Sequence, residues 1–218
     1  MPQLFPPAAN TLARVALMAI PVVPFLGIGL AYGLMRSPYA TGVDVSLDQP
    51  IPFSHKHHVG DVGIDCRYCH TSVERSAFAG LPPTETCMTC HSQLFTDAAM
   101  LAPVRKSLAE HKPIHWRRVH VLPDHVYFDH SVHIAKGVGC TTCHGAVDAM
   151  PLMRQTAPLT MGWCLDCHRN PAPRLRPPSE IFSTDWRPPA DQLEQGCRLM
   201  ADYLIKTDHL TDCSICHR

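Results

Sequence analysis

One five-residue phrase occurs five times in this sequence, and it limits the fold more than any other feature. Cys66-Arg-Tyr-Cys69-His70, Cys87-Met-Thr-Cys90-His91, Cys140-Thr-Thr-Cys143-His144, Cys164-Leu-Asp-Cys167-His168 and Cys213-Ser-Ile-Cys216-His217 use ten of the eleven cysteines. Only Cys197 is left over, and it reads as a packed thiol because no partnering base is evident. Zinc and disulfides are competing uses of paired cysteines. A zinc ribbon, however, does not need a histidine directly after every second cysteine, and a thioredoxin-like dithiol needs one pair inside a βαβ pattern. Covalent c-type haem explains every position: two thiols add to the two vinyl groups on one porphyrin edge, and the adjoining imidazole reaches the iron. The sequence therefore predicts five haem c groups, with His70, His91, His144, His168 and His217 as proximal ligands.

Five porphyrins also account for an unusual composition. With 21 prolines, 15 histidines and 7% aromatic residues, long helices and a large side-chain core are poorly supported outside one segment. The expected fold is mainly α and irregular, with little β structure. The formal charge is zero and no basic block is present, so nothing points to nucleic acid.

The exception is "VALMAIPVVPFLGIGLAYGLM", residues 15 to 35, which carries no charge and is flanked by Arg14 and Arg36. Its 21 residues would span roughly 30 Å as a helix, the thickness of a bilayer's hydrocarbon core. The run exceeds a signal peptide's apolar region and no small-residue cleavage site follows, so an uncleaved membrane anchor is expected over 15–36. Pro21 and Pro24 would kink it, which neighbouring spans can accommodate. One arginine at each end leaves the orientation to chemistry. Haem thioethers are made on the exported side, so residues 1–14 are expected in the cytoplasm and a pentahaem domain, 37–218, in the periplasm.

An iron with one histidine needs a second ligand on its far face. "PFSHKHHVGDVGIDCRYCH" and "YFDHSVHIAKGVGCTTCH" align as F-x-H-x-x-H, a glycine-containing turn, and then a haem phrase. A second phrase follows in each, 21 residues after Cys66 and 24 after Cys140. This is an internal duplication of a two-haem unit, with halves at about 51–95 and 126–170 and a fifth-haem region at 197–218. Histidines three apart on a helical turn project from one face, so His55, His58, His130 and His133 are expected as distal ligands, one of each pair serving the haem that follows and the other a different haem. His57 faces elsewhere and reads as a surface residue. For the remaining iron, His120 and His125 are the favoured candidates and Met150 the favoured thioether. His111 and His115 read as loop residues, and His209 as too near Cys213 to serve its own iron. The proline-rich stretch 169–196 is expected to run extended along a partner, and "DQLEQGCRLMADYLIKT" to be helical.

The phrases "PFSHKHHVGDVGIDCRYCH", "HWRRVHVLPDHVYFDHSVH" and "PLTMGWCLDCHRNP", with five haem phrases behind one apolar span, resemble the membrane-anchored pentahaem cytochrome c subunits (ActA) of alternative complex III. The related quinone reductase complexes of sulfate reducers use a similar subunit, usually with another haem. The resemblance implies an inner-membrane, single-pass subunit with two dihaem halves of the c7/c3 kind. It also implies iron–sulfur and polytopic membrane partner subunits, and electron flow from quinol towards a periplasmic cytochrome c or copper protein. Another subunit is expected to cover the fifth haem. No catalytic residue is expected in the chain itself. The weighed alternatives are a self-sufficient quinol dehydrogenase, against which stands a span without polar residues for a quinol headgroup, and an oxyanion reductase, which needs an open iron.

Overall fold

The computed structural model describes residues 5–217, which divide into two compact units, the first ending at Val43 and the second beginning at Asp44. The first is dominated by α1, Ala8–Arg36, followed by the single turn α2, Pro38–Thr41. At 29 residues α1 is about 43 Å long, and an 18-residue window of it has a mean hydropathy of 2.1, so it is long and apolar enough to cross a membrane. It begins seven residues before the uncharged run, because "AANTLAR" contains good helix formers after Pro6 and Pro7. It continues through Pro21 and Pro24, where two backbone donors are missing.

In the second unit the helices are short: α3 (Cys66–Cys69), α4 (Thr84–His91), α5 (Ala102–Glu110), α6 (His130–Ala135), α7 (Cys140–His144), α8 (Met161–Arg169), α9 (Gln192–Asp202) and α10 (Cys213–Cys216). Among the described residues there is no strand, only isolated bridges such as Val126 with His217 and Val138 with Leu175. Every haem phrase lies on a helical turn, which puts cysteines three apart on one face. Capping starts some of these turns. The Asp65 carboxylate accepts from Arg67 N at 2.8 Å to open α3, and Asp129 accepts from Ser131 N at 2.8 Å to open α6.

The side-chain core is thin. Among the described residues it consists of eight side chains, Ile51, Val73, Val104, Met150, Ala157, Ala172, Leu175 and Ile181, and Met150 and Leu175 are the largest that are closed off almost completely. Three of the eight come from the stretch 169–196. Instead of running extended, that stretch turns at Ala172–Arg174 and Pro178–Glu180, where prolines pre-set the backbone, and drives Leu175 and Ile181 inward. It is then clamped by α9: Gln192 Nε2 donates to Ala172 O at 3.2 Å and Leu175 O at 2.9 Å, and Gly196 lies so close to Ala172 O that no Cβ fits.

Candidate functional site

The two F-x-H-x-x-H segments repeat one local geometry. Phe53 meets His55 edge-on at 4.9 Å and stacks on His58 at 4.3 Å, while Phe128 meets His130 edge-on at 4.8 Å and stacks on His133 at 4.4 Å. A single phenylalanine thus sets two histidine rings nearly perpendicular in each half. The segments differ in winding. Residues His130–Ala135 are α-helical, but Lys56–Asp61 form a π-helical turn. Its tight packing at Gly60, whose Cβ would strike Asp148 O, seats the first histidine pair against the linker of the second half.

Across from these rings stand the histidines of the haem phrases. The ring centroids of His58 and His91 are 6.2 Å apart, those of His130 and His144 6.3 Å, and those of His133 and His168 6.2 Å. An imidazole centroid lies about 3 Å from a metal held on Nε2, so two imidazoles on one metal have centroids about 6 Å apart. All three separations fit one iron between two histidines. His55 is half-buried and close enough to His70 to feel its charge, and its Nδ1 has no protein partner. His125 and His217 stack at 5.6 Å, held by a backbone bond from Tyr127 N to Cys216 O at 2.8 Å.

The second ring nitrogens are equally ordered. Nδ1 faces a backbone carbonyl in His58 (Ser54 O, 2.9 Å), His70 (Gly80 O, 2.7 Å), His91 (Leu94 O, 3.1 Å) and His130 (Ala77 O, 2.8 Å). The same holds in His133 (Asp129 O, 2.7 Å), His168 (Leu210 O, 2.9 Å) and His217 (His125 O, 3.1 Å). A carbonyl only accepts, so each Nδ1 carries the proton and each Nε2 keeps its lone pair for a metal. Gly80 achieves its aim through a left-handed backbone (φ +84). His144 departs from this pattern: its Nδ1 lies 3.2 Å from the Nε2 of His120.

Burial, with His120 and His130 nearby, pushes His144 down to about 3, and burial beside His70 and His58 pushes His55 down to about 4. Burial also lowers His133 and His120. These four imidazoles are neutral at pH 7, the form that binds a metal. Burial raises Cys69, Cys87, Cys164 and Cys167 and pushes Cys143 up to about 12, while a hydrogen bond between Cys66 and Cys140 lowers Cys66 to about 7 and raises Cys140. Among the described residues, no three His, Cys, Asp or Glu side chains converge on a bare metal ion.

The thiols form neighbouring sets. Cys69 is within electrostatic reach of Cys87, Cys66 hydrogen-bonds Cys140, Cys143 feels Cys167 and Cys164, and Cys164 feels Cys216. Met150 is 2% exposed, and its carbonyl accepts from Lys56 N at 2.9 Å, so it sits in the protein core. His57 and His209 are exposed and pair with Asp61 and Asp212. Sequence reasoning missed Arg176, 4% exposed, whose guanidinium lies 4.3 Å from Trp186 and donates to Thr141 Oγ1, inside the third haem phrase, at 2.5 Å. No spacing rule ties an arginine in a proline-rich stretch to a site 35 residues earlier.

Residues 126–218 match the model of the family of cytochrome c7 and related cytochrome c. Over this segment the chain is thus similar to the c7 type of multihaem cytochrome c. Over 98 residues the chain is 40% identical to the menaquinone reductase multihaem cytochrome c subunit of Nitratidesulfovibrio vulgaris. That alignment covers 44% of this chain and 46% of the relative, so it spans about half the length of each. The c7-like assignment implies haem c, and the paired thiols, the neutral imidazoles and the 6 Å histidine pairs all fit that group.

Proposed function

We propose that this chain is the electron-transfer subunit of a membrane quinol:acceptor oxidoreductase of the alternative complex III type, carrying five haems. The observation that carries the reading is the supply of paired imidazoles. Cys66 and Cys69 with His70 and His55 would hold the first haem, and Cys87 and Cys90 with His91 and His58 the second. Cys140 and Cys143 with His144 and His130 would hold the third, and Cys164 and Cys167 with His168 and His133 the fourth. Cys213 and Cys216 with His217 and His125 would hold the fifth, which leaves Met150 to packing.

When bound, haem c supplies a reversible one-electron couple whose potential follows its axial ligands and surroundings. The paired histidines would hold each iron from both sides, which would keep small molecules out and require no reacting group. The thiol neighbours support a row in which the second phrase is followed by the first, third, fourth and fifth. α1 would fix one end of the chain in the inner membrane with the haem domain on the periplasmic side. There iron–sulfur and polytopic subunits would supply electrons from quinol, and a periplasmic cytochrome c or copper protein would receive them.

A native gel of source membranes in mild detergent, stained for haem, tests the assignment. A large band containing iron–sulfur and polytopic chains is expected, whereas migration of the chain alone overturns it. The similarity to a menaquinone reductase subunit favours a second reading, a complex that reduces quinone. Assaying the isolated complex in both directions separates the two.

A further inference from the structure

Seven histidines hand their Nδ1 proton to a backbone carbonyl, an acceptor that no side-chain substitution removes. His144 alone among the proximal five is given a side-chain acceptor, His120 Nε2 at 3.2 Å. We propose that His120 is a positioning residue that accepts the His144 Nδ1 proton and thereby sets the donor strength of the third haem's proximal ligand, rather than binding iron itself. The inference rests on the haem reading above.

Geometry separates the two roles. The rings of His120 and His144 have centroids 4.4 Å apart at 77°, too close for a metal between them, while His130 already faces His144 at 6.3 Å and 5°. Iron on His144 Nε2 requires the proton on Nδ1, so His144 donates and His120 must accept through an unprotonated Nε2. That nitrogen is then occupied. The segment bearing His120 is itself pinned: Gln49 Nε2 donates to Arg117 O at 3.0 Å, and Arg117 N donates back to Gln49 Oε1 at 3.0 Å. His120 is therefore held from a part of the chain that belongs to neither haem phrase of its half.

An acceptor on Nδ1 makes an imidazole a stronger donor and favours ferric iron. Removing it should weaken that preference about tenfold, which raises a one-electron potential by about 59 mV. The test is a spectroelectrochemical titration of the haem-loaded full chain, paired with a pyridine haemochrome count on the same preparation. In His120→Leu, one haem potential should rise by that amount while every haem stays low-spin. His120→Gln, which keeps an acceptor, should restore most of the shift. Unmoved potentials overturn the proposal, and so does a new high-spin ferric signal, which would assign His120 to iron. If His120→Leu fails to accumulate, His120→Gln decides alone: a high-spin haem, or a shift as large as that expected for loss of the acceptor, overturns the proposal. A haem count short of five in the unaltered chain refutes the pentahaem reading instead.

Discussion

The first and second haem-bearing halves solve one geometric problem with chains of different length. Seven residues lie between His58 and Cys66, and six between His133 and Cys140. Both intervals close with the same bond, Ile64 N to His58 O and Val138 N to His133 O, each 2.9 Å, and the glycine before the closing donor has the same φ of +78 in both (Gly63 and Gly137). The extra residue is absorbed where Lys56–Asp61 winds as a π-turn and His130–Ala135 winds as an α-helix. Length varies where the backbone is free to rewind, and stays fixed where two rings and two thiols must meet one cofactor.

The largest expected effect treats the halves alike. Cys140→Ala with Cys143→Ala, or Cys66→Ala with Cys69→Ala, should each remove one haem by pyridine haemochrome count and greatly reduce accumulation, since eight buried apolar side chains are too few to hold the unit together. Next come the distal ligands. His58→Ala and His133→Ala should each open one iron and create one carbon monoxide-binding equivalent in reduced protein. A response in one half only would show that the halves ligate differently.

Acid should separate the halves more gently. An unfolded histidine takes its proton near 6.5, whereas folded His55 holds out to about 4 and His144 to about 3. Between those values the unfolded chain binds more protons, so stability is full above pH 6.5 and falls as pH drops below it. The share from His55 is complete at about pH 4, and that from His144 at about pH 3. Denaturant midpoints measured from pH 7.5 downward check this, and a midpoint that rises on acidification contradicts it.

Smaller still is Gly60→Ala, which should cost about 1–3 kcal/mol because its Cβ meets Asp148 O. The aligned residue in the second half, Ala135, already carries a methyl group. Thermal melts of Gly60→Ala beside Ala135→Gly sharpen the contrast. The smallest effect belongs to the caps. Asp129→Ala should lower the melting temperature slightly through loss of its bonds to Ser131 N and Val132 N, and Ser54→Ala no more, since Ser54 Oγ accepts from His57 N.

What the sequence made legible follows from how locally each constraint acts. A haem phrase is contiguous because two thioethers and one axial ligand share one porphyrin edge, so all five stand out without a structure. The phenylalanine–histidine segments are nearly as plain, since one turn of helix carries the pair. The one-residue difference in length was visible, but not its resolution as a π-turn. His120 appeared only as a histidine in want of a metal, because a nitrogen that accepts a proton and one that binds iron leave the same letter. The stretch 169–196 looked like an outrigger because proline counts report stiffness, whereas burial of Leu175 and Ile181 depends on α9, which reaches back to cover it.

Several bonds to backbone carbonyls cross between the halves. The Nδ1 of His130, and its backbone N at 3.3 Å, both point to the carbonyl of Ala77, between the first and second haem phrases. In return, Lys56 N in the first half leans on Met150 O in the second. His130 in one half and Lys56, next to His55, in the other are thus each braced by backbone of the opposite half. Cutting the chain between the two segments would strand the Ala77 carbonyl on one fragment and leave the Lys56 donor without its acceptor, so the two should mature only together.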